Sequence, residues 1–357
     1  MTDFAIIGGG WRAEFFLRVA AALSDQFRVT GMLTRDAAKG AALETTWQVP
    51  TFRSLDELLQ TAPQFVVVSV PRTVAPDLLV ELAERGVPAL SETPPASDLD
   101  ALVALFERVG GNARIQVAEQ YLFQPQHAAR LAFSASGRLG SISQAQVSVA
   151  HGYHGISLLR HFLGVGFEDA VITARTHSTP IVDGPNRNGP PAEDRIVSAR
   201  QTIAEFDFGD RFGIYDFTDA QYFSWIRSPR LLVRGERGEI NGDEIRYLQD
   251  FQTPVSVALK RDDTGQNGNL EGYYHRGILA GTEWLYRNPF PPARLSDDEI
   301  AVATCLQKMA EYTAGGPDFY SLAEASQDHY LALLVEQAVK QQAPVATIRQ
   351  PWAGLPS

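Results

Sequence analysis

Three small residues near the amino terminus, Gly8, Gly10 and Ala13, stand at the spacing G-x-G-x-x-A, with Trp11 and Arg12 inside the motif. That spacing suits a dinucleotide. The first glycine permits a tight turn, the second lets a pyrophosphate approach backbone amides, and the small third residue lets a helix pack on the strand before it. About twenty residues on, Thr34-Arg35-Asp36 stands where an acid ordinarily binds the ribose 2′-hydroxyl of NAD. A hydroxyl followed by a guanidinium suits a 2′-phosphate, with Lys39 as a second cation, so NADP is expected ahead of NAD. The other reading has Arg35 solvated or stacked on adenine in an NAD site, with Asp36 on the ribose one position late.

To present such a cradle the chain must alternate strands and helices, and its first 120 residues do. Residues 4–7 read as a strand, 11–23 as a helix and 29–33 as a second strand. Ser54 and Glu57 form a capping box for a helix over 55–60. The continuous apolar run 65–70 reads as a strand covered on both faces. A helix over 78–84 stops at Gly86, residues 89–90 read as a strand, and Ser97 with Asp100 opens a further helix that Gly110-Gly111 ends. A short strand over 114–117 closes the pattern. Beyond Gln120, alternating segments at 143–149, 170–176, 200–208, 212–217, 230–234 and 246–248 read as antiparallel strands, with Gly209-Asp210 a hairpin turn. Residues 183–193, rich in Gly, Pro and Asn, read as a long surface loop, and two helices opened by Ser296/Glu299 and Ser321/Glu324 close the chain. The expected fold class is α/β. A Rossmann doubly wound parallel sheet spans 1–120, and an α+β domain for substrate binding and oligomerisation spans 121–357, with a large, open, mainly antiparallel sheet.

The bulk composition narrows the partners. A chain of 357 residues, 45% hydrophobic and 20% charged, has the length for two ordinary cores. Its net charge of −11 argues against nucleic acid, because phosphate neutralisation needs clustered cations. No apolar run approaches the roughly 20 residues that span a bilayer, so no membrane partner is expected. The single cysteine, Cys305, falls in a helical pattern and reads as a buried, inert thiol in a reducing compartment. With no basic amino-terminal region, the expected location is cytoplasmic. His151 and His154 lie close in sequence, but no third ligand can be named, so no metal is expected.

These motifs, taken in order, resemble the Gfo/Idh/MocA family of sugar and polyol oxidoreductases along essentially the whole chain. The resemblance runs from residues 6–13 through Ser69-Val70-Pro71 and Ser91-Glu92-Thr93-Pro94. It continues through Phe123-Gln124-Pro125, the stretch 154–164 and the 235–240 turn. It implies that Ser69, Pro71, Glu92 and Pro94 line the nicotinamide side of the cofactor, with substrate between them and the second sheet. Two departures stand out. The family's Glu-Lys-Pro is Glu92-Thr93-Pro94 here, so the lysine that helps move the hydroxyl proton is Thr93. The acids the family tends to carry four residues before and three after its histidine are Ala150 and Ser157. His154 itself is kept. Its imidazole, ordinarily titrating near neutrality, is the first choice to take the proton, and His151 and Tyr121 are further candidates.

The implied function is an NAD(P)-dependent dehydrogenase or reductase moving hydride between nicotinamide and a sugar, polyol or glycoside hydroxyl or carbonyl. Two alternatives stand beside it. One is a glycosidase or lyase using bound cofactor for transient oxidation; the other is a non-catalytic nucleotide-binding regulatory protein. The expected partners are a small carbohydrate-like substrate and a second copy of the chain, because an open sheet face seeks cover; a homodimer or higher homo-oligomer follows.

Overall fold

The computed structural model of the chain describes residues 1–111, 113–265 and 272–354. Its first part alternates strand and helix: β1 (Thr2–Ile7), α1 (Trp11–Ala22), β2 (Phe27–Leu33), α2 (Ala37–Trp47), β3 (Thr51–Phe52), α3 (Leu55–Leu59), β4 (Phe65–Val68), α4 (Ala75–Glu84), β5 (Ala89–Ser91), α5 (Leu99–Val109) and β6 (Ile115–Val117). The six strands pair in parallel in the order β3-β2-β1-β4-β5-β6. Period-two side chains explain the uninterrupted apolar runs. Phe4 and Ile6 of β1 and Phe65 and Val67 of β4 enter one core; Ala5, Ile7, Val66 and Val68 enter the other.

The chain continues through α6 (Pro125–Ala135), β7 (Ile142–Ser148), α7 (Gly152–Leu163), β8 (Val171–Val182), β9 (Ile196–Asp207), β10 (Phe212–Thr218), β11 (Arg230–Gly235), β12 (Gly238–Asn241) and β13 (Glu244–Leu248). It ends with β14 (Pro254–Asp263), β15 (His275–Ala280), β16 (Glu283–Arg287), α8 (Asp297–Thr313), α9 (Leu322–Gln341) and β17 (Val345–Ala346). Eleven strands form one sheet, ordered β16-β15-β14-β13-β12-β11-β7-β10-β9-β8-β17. Only the central β7–β10 pair is parallel among them. One face buries Ala145, Val147, Phe206, Val233 and Ile240 in a core shared with Ile156 and Leu159 of α7 and Leu331 and Val335 of α9. Each fully buried Leu, Ile or Phe there contributes roughly 1.5–3 kcal/mol. The opposite face carries exposed Arg234, Glu244 and Arg246.

One helix crosses between the two parts. Ile300, Cys305, Leu306 and Met309 of α8 lie in the same core as Phe4, Ile6, Phe16 and Leu17, so a carboxy-terminal helix covers one face of the amino-terminal sheet. No described helix is long and apolar enough to cross a membrane.

Local differences from the sequence reading have physical causes. Helix α4 begins at Ala75, three residues early, because Pro76 sits in its first turn, where a missing N–H costs nothing. The N-cap of α5 is Asp98, whose carboxylate accepts from Ala101 N–H at 3.0 Å; Ser97 only bonds Asp98. Ser321 caps α9 through Glu324 N–H, but the Glu324 carboxylate turns away to Arg160 at 2.9 Å, so the box is half made. Helices α2 and α6 and strands β14 to β16 were not expected.

Candidate functional site

Beyond the parallel strands their ends remain laced together. Ser69 N–H donates to Ile7 O at 2.9 Å, Glu92 N–H to Val68 O at 3.0 Å, and Ala118 N–H to Ser91 O at 2.8 Å. A cleft of about 800 Å³ opens over these ends, where the strand order reverses between β1 and β4. Gly8, Gly9 and Gly10 line it. Gly8 has φ +122°, and a methyl there would lie 2.0 Å from the Ser69 carbonyl oxygen, so only glycine lets the two loops meet. Gly10 is the N-cap of α1 and makes no side-chain cap; a methyl on it would meet no protein atom within 4 Å. Free amides at a helix start beside a bare glycine in an open cleft are what a pyrophosphate requires, so these residues fit a dinucleotide.

Trp11, half exposed, forms a wall of the cleft rather than a plug, and the Arg187 guanidinium from the β8–β9 loop stacks 4.1 Å from its ring centroid. At the other end lie Thr34, Arg35 and Lys39. Thr34 is almost buried, and its hydroxyl accepts from Arg53 Nη1 at 3.2 Å. Arg53, at the end of β3, thus adds a third cation that the sequence reading missed. The Asp36 carboxylate caps α2, taking Ala38 N–H at 2.8 Å and Lys39 N–H at 3.1 Å, and these bonds hold it below the usual carboxylate range.

A second cleft, about 660 Å³, shares Trp11, Arg12, Glu92, Thr93 and Arg187 with the first, so the two are continuous. Arg12 Nε and Glu92 Oε1 pair at 2.7 Å, and Arg12 also bonds Gln120, which fixes the partition between them. The second cleft gathers Tyr121, His151, Tyr153 and His154, from the end of the first sheet and the start of α7. His154 is buried in the first turn of α7. Tyr121 and Tyr153 flank its ring at centroid distances of 4.7 and 4.4 Å, and His151 meets it edge-on at 5.0 Å. Its Nδ1 lies 2.6 Å from Glu119 Oε2.

His151 is held differently. Its backbone N–H donates to the Tyr222 hydroxyl at 2.9 Å, and its Nδ1 lies 2.5 Å from the same oxygen. Desolvation, then the nearness of a second imidazole at His154, lowers His151 from its ordinary 6.5 to about 4, so it is neutral at pH 7. The Tyr222 oxygen already accepts the His151 backbone N–H; when its own proton goes to Nδ1, the neutral ring carries its proton on Nε2. Burial raises the Tyr121 and Tyr153 hydroxyls, so both stay protonated donors.

Every expected site residue except Ala13 and Pro94 lines one of the two clefts. Those two are buried behind them, Ala13 where α1 packs on the sheet. Glu119, Arg53, Arg187 and Tyr222 were missed. Glu119 had a signal, since it lies just past β6 at the carboxyl edge of the sheet. Tyr222 had none, because it meets His151 across 71 residues.

Residues 2–118 match the model of the oxidoreductase family GFO_IDH_MocA, NAD-binding Rossmann fold. No curated protein sequence matches the chain. Solved structures share its fold over nearly the full length at low identity. An oxidoreductase from Agrobacterium radiobacter, in complex with NAD+, L-tartaric acid and magnesium, is 16% identical with a TM-score of 0.65, covering 96% of this chain and 98% of that one. Levoglucosan dehydrogenase, in complex with NADH and levoglucosan, is 15% identical with a TM-score of 0.69, covering 97% and 99%. A putative myo-inositol dehydrogenase from Sinorhizobium meliloti is 15% identical with a TM-score of 0.66, covering 98% and 100%. The family match thus covers the amino-terminal, NAD-binding Rossmann part, and the fold of these solved structures continues to the carboxyl end of the chain.

Proposed function

We propose that the chain is an NAD(P)-dependent dehydrogenase or reductase acting on a hydroxyl or carbonyl of a sugar, polyol or glycoside. The observation that supports this reading is the continuity of the two clefts at Thr93: a dinucleotide lying on Gly8 to Gly10 would end beside a ligand over the His154 cluster. A bound nicotinamide supplies the acceptor, or donor, of a hydride. The protein supplies the rest. Tyr121, Tyr153, Tyr222 and Phe223 give the second cleft aromatic faces suited to the apolar side of a sugar ring. The Nε2–H of neutral His151 donates to a substrate oxygen, and His154 takes the hydroxyl proton, the part for which Thr93 has no basic group. Levoglucosan dehydrogenase, a protein of the same fold, was crystallised with NADH and a carbohydrate, which supports the substrate class.

For the cofactor, Arg35 and Lys39 line the cleft beside Thr34, whose hydroxyl Arg53 bonds from behind; these cations favour the 2′-phosphate of NADP over NAD. The exposed face of the eleven-stranded sheet favours a homodimer, and light scattering at micromolar concentration tests that.

The test of function is a panel of sugars, polyols and glycosides with each coenzyme, followed by nicotinamide absorbance. Net reduction that falls about 10²- to 10⁴-fold in His154→Ala, with coenzyme affinity retained, is the expected result. Glycoside cleavage without net coenzyme change points to transient oxidation, and coenzyme binding with neither activity to a regulatory role; either overturns the dehydrogenase reading.

A further inference from the structure

Glu119 stands two residues beyond β6 and is 2% exposed, and an ionised side chain so placed needs partners for both oxygens. It has them. Oε1 accepts the Tyr121 backbone N–H at 3.1 Å, and Oε2 lies 2.6 Å from His154 Nδ1. The stretch from Val149 to Leu158 that carries His154 contains no Asp or Glu, so the carboxylate comes from another element, 35 residues away. An ionised carboxylate only accepts, so the proton between them belongs to Nδ1, and Nε2 is the lone-pair nitrogen left to the cleft that His154 lines.

We propose that Glu119 is the positioning residue of His154. It pins the Nδ1–H tautomer, aims Nε2 at the substrate hydroxyl, and offsets the positive charge that appears when Nε2 takes a proton. His151 and His154 then face the same cleft with opposite polarity: Nε2–H donating from the first, bare Nε2 accepting from the second. In the oxidative direction the substrate O–H bond breaks with its proton going to Nε2. The electron pair of that bond becomes the second C–O bond as the carbinol C–H pair departs as hydride to the nicotinamide acceptor named above. This role rests on the dehydrogenase reading, but the tautomer on which it depends does not.

Glu119→Gln is a sharp test because the shape is retained and the polarity is not. The Tyr121 N–H must be met by the new amide's carbonyl, so its NH₂ group faces Nδ1 and drives the His154 proton to Nε2. Ring ¹⁵N shifts in the ligand-free protein read this directly. The expected result is Nδ1–H in the parent, Nε2–H in Glu119→Gln and Nδ1–H restored in Glu119→Asp. With substrate, kcat of Glu119→Gln falls by about 10²-fold or more while KM and coenzyme affinity hold. A parent His154 protonated on Nε2, an unchanged tautomer in Glu119→Gln, or parental kcat in that variant each overturns the proposal. The two tautomer outcomes do so whether or not any substrate turns over, which separates failure here from failure of the dehydrogenase reading.

Discussion

The two clefts that meet at Thr93 are built on opposite principles. The cleft proposed for coenzyme rests mainly on backbone next in sequence to the strands that place it: three consecutive glycines, a helix start and the turns after β4 and β5, with the Trp11 and Arg187 side chains as one wall. The cleft proposed for substrate is made of side chains brought from afar: Glu119 to His154 across 35 residues, Tyr222 to His151 across 71, and Tyr153 to the Thr93 carbonyl across 60. A backbone cradle tolerates change at a distance and fails when a Cβ intrudes. A side-chain cluster tolerates local shape changes and fails when a remote support is withdrawn.

The largest expected effect strikes that remote support. Arg160, on α7 six residues after His154, is fully buried and bonds Asp328 at 2.6 Å and Glu324 at 2.9 Å on α9; Tyr320 bonds Asp328 and, through its hydroxyl, Ser157 at 2.6 Å. Asp328→Leu strands the guanidinium and should cost about 3–5 kcal/mol in denaturant unfolding. In variant protein still folded, substrate KM should rise before coenzyme affinity falls; parallel losses in both would erase the distinction between the clefts.

Acid should give a smaller effect of the same kind. His127 on α6 is buried, and desolvation, then Arg130, lowers it from an ordinary 6.5 to about 3. The unfolded chain takes up that proton as pH falls through 6.5 while the folded chain refuses it until about pH 3. Its contribution is therefore whole above pH 6.5 and declines below it, by about 2 kcal/mol near pH 5 at roughly 1.4 kcal/mol per unit. His127→Gln should flatten this limb of a stability–pH curve.

Within the coenzyme cleft the glycines should part company. Gly10→Ala should leave the melting temperature within a degree or two and weaken both coenzymes about tenfold by calorimetry, roughly 1.4 kcal/mol, because its methyl faces open space. Gly8→Ala should destabilise the protein itself, since its methyl meets the Ser69 carbonyl oxygen. Smallest is the choice between coenzymes: Arg53→Ala should weaken NADP several-fold, by about 1 kcal/mol, and leave NAD unchanged. Equal losses would remove Arg53 from the 2′-phosphate site.

The same contrast explains what could be read in advance. Gly8 to Ala13 and Thr34-Arg35 were legible because each borders a strand whose apolar run announces it; the turn at Ser69 and the loop at Glu92 were picked out by the family resemblance, with which their places at strand ends agree. Helix α6 was not: its inward residues are Pro125, His127, Ala129 and Phe133, too mixed in polarity to show a helical stripe, and packing against the neighbouring sheet decides it. The partners of the two histidines were equally hidden. No periodicity connects Tyr222 to His151, and Glu119 looks like any acid after a strand until the fold brings α7 beside it.

Helix α8 carries a consequence for the order in which the protein comes off the ribosome. The glycine cradle is translated nearly 300 residues before the hydrophobic wall behind β1 and α1, which waits for Ile300 through Met309. Residues 1–120 without α8 therefore bear an uncovered apolar surface, and expressed by itself that fragment should aggregate or bind a hydrophobic dye. Supplying residues 288–357 as a separate polypeptide should rescue its solubility. The part that carries the glycine cradle is made well before the helix that completes its core.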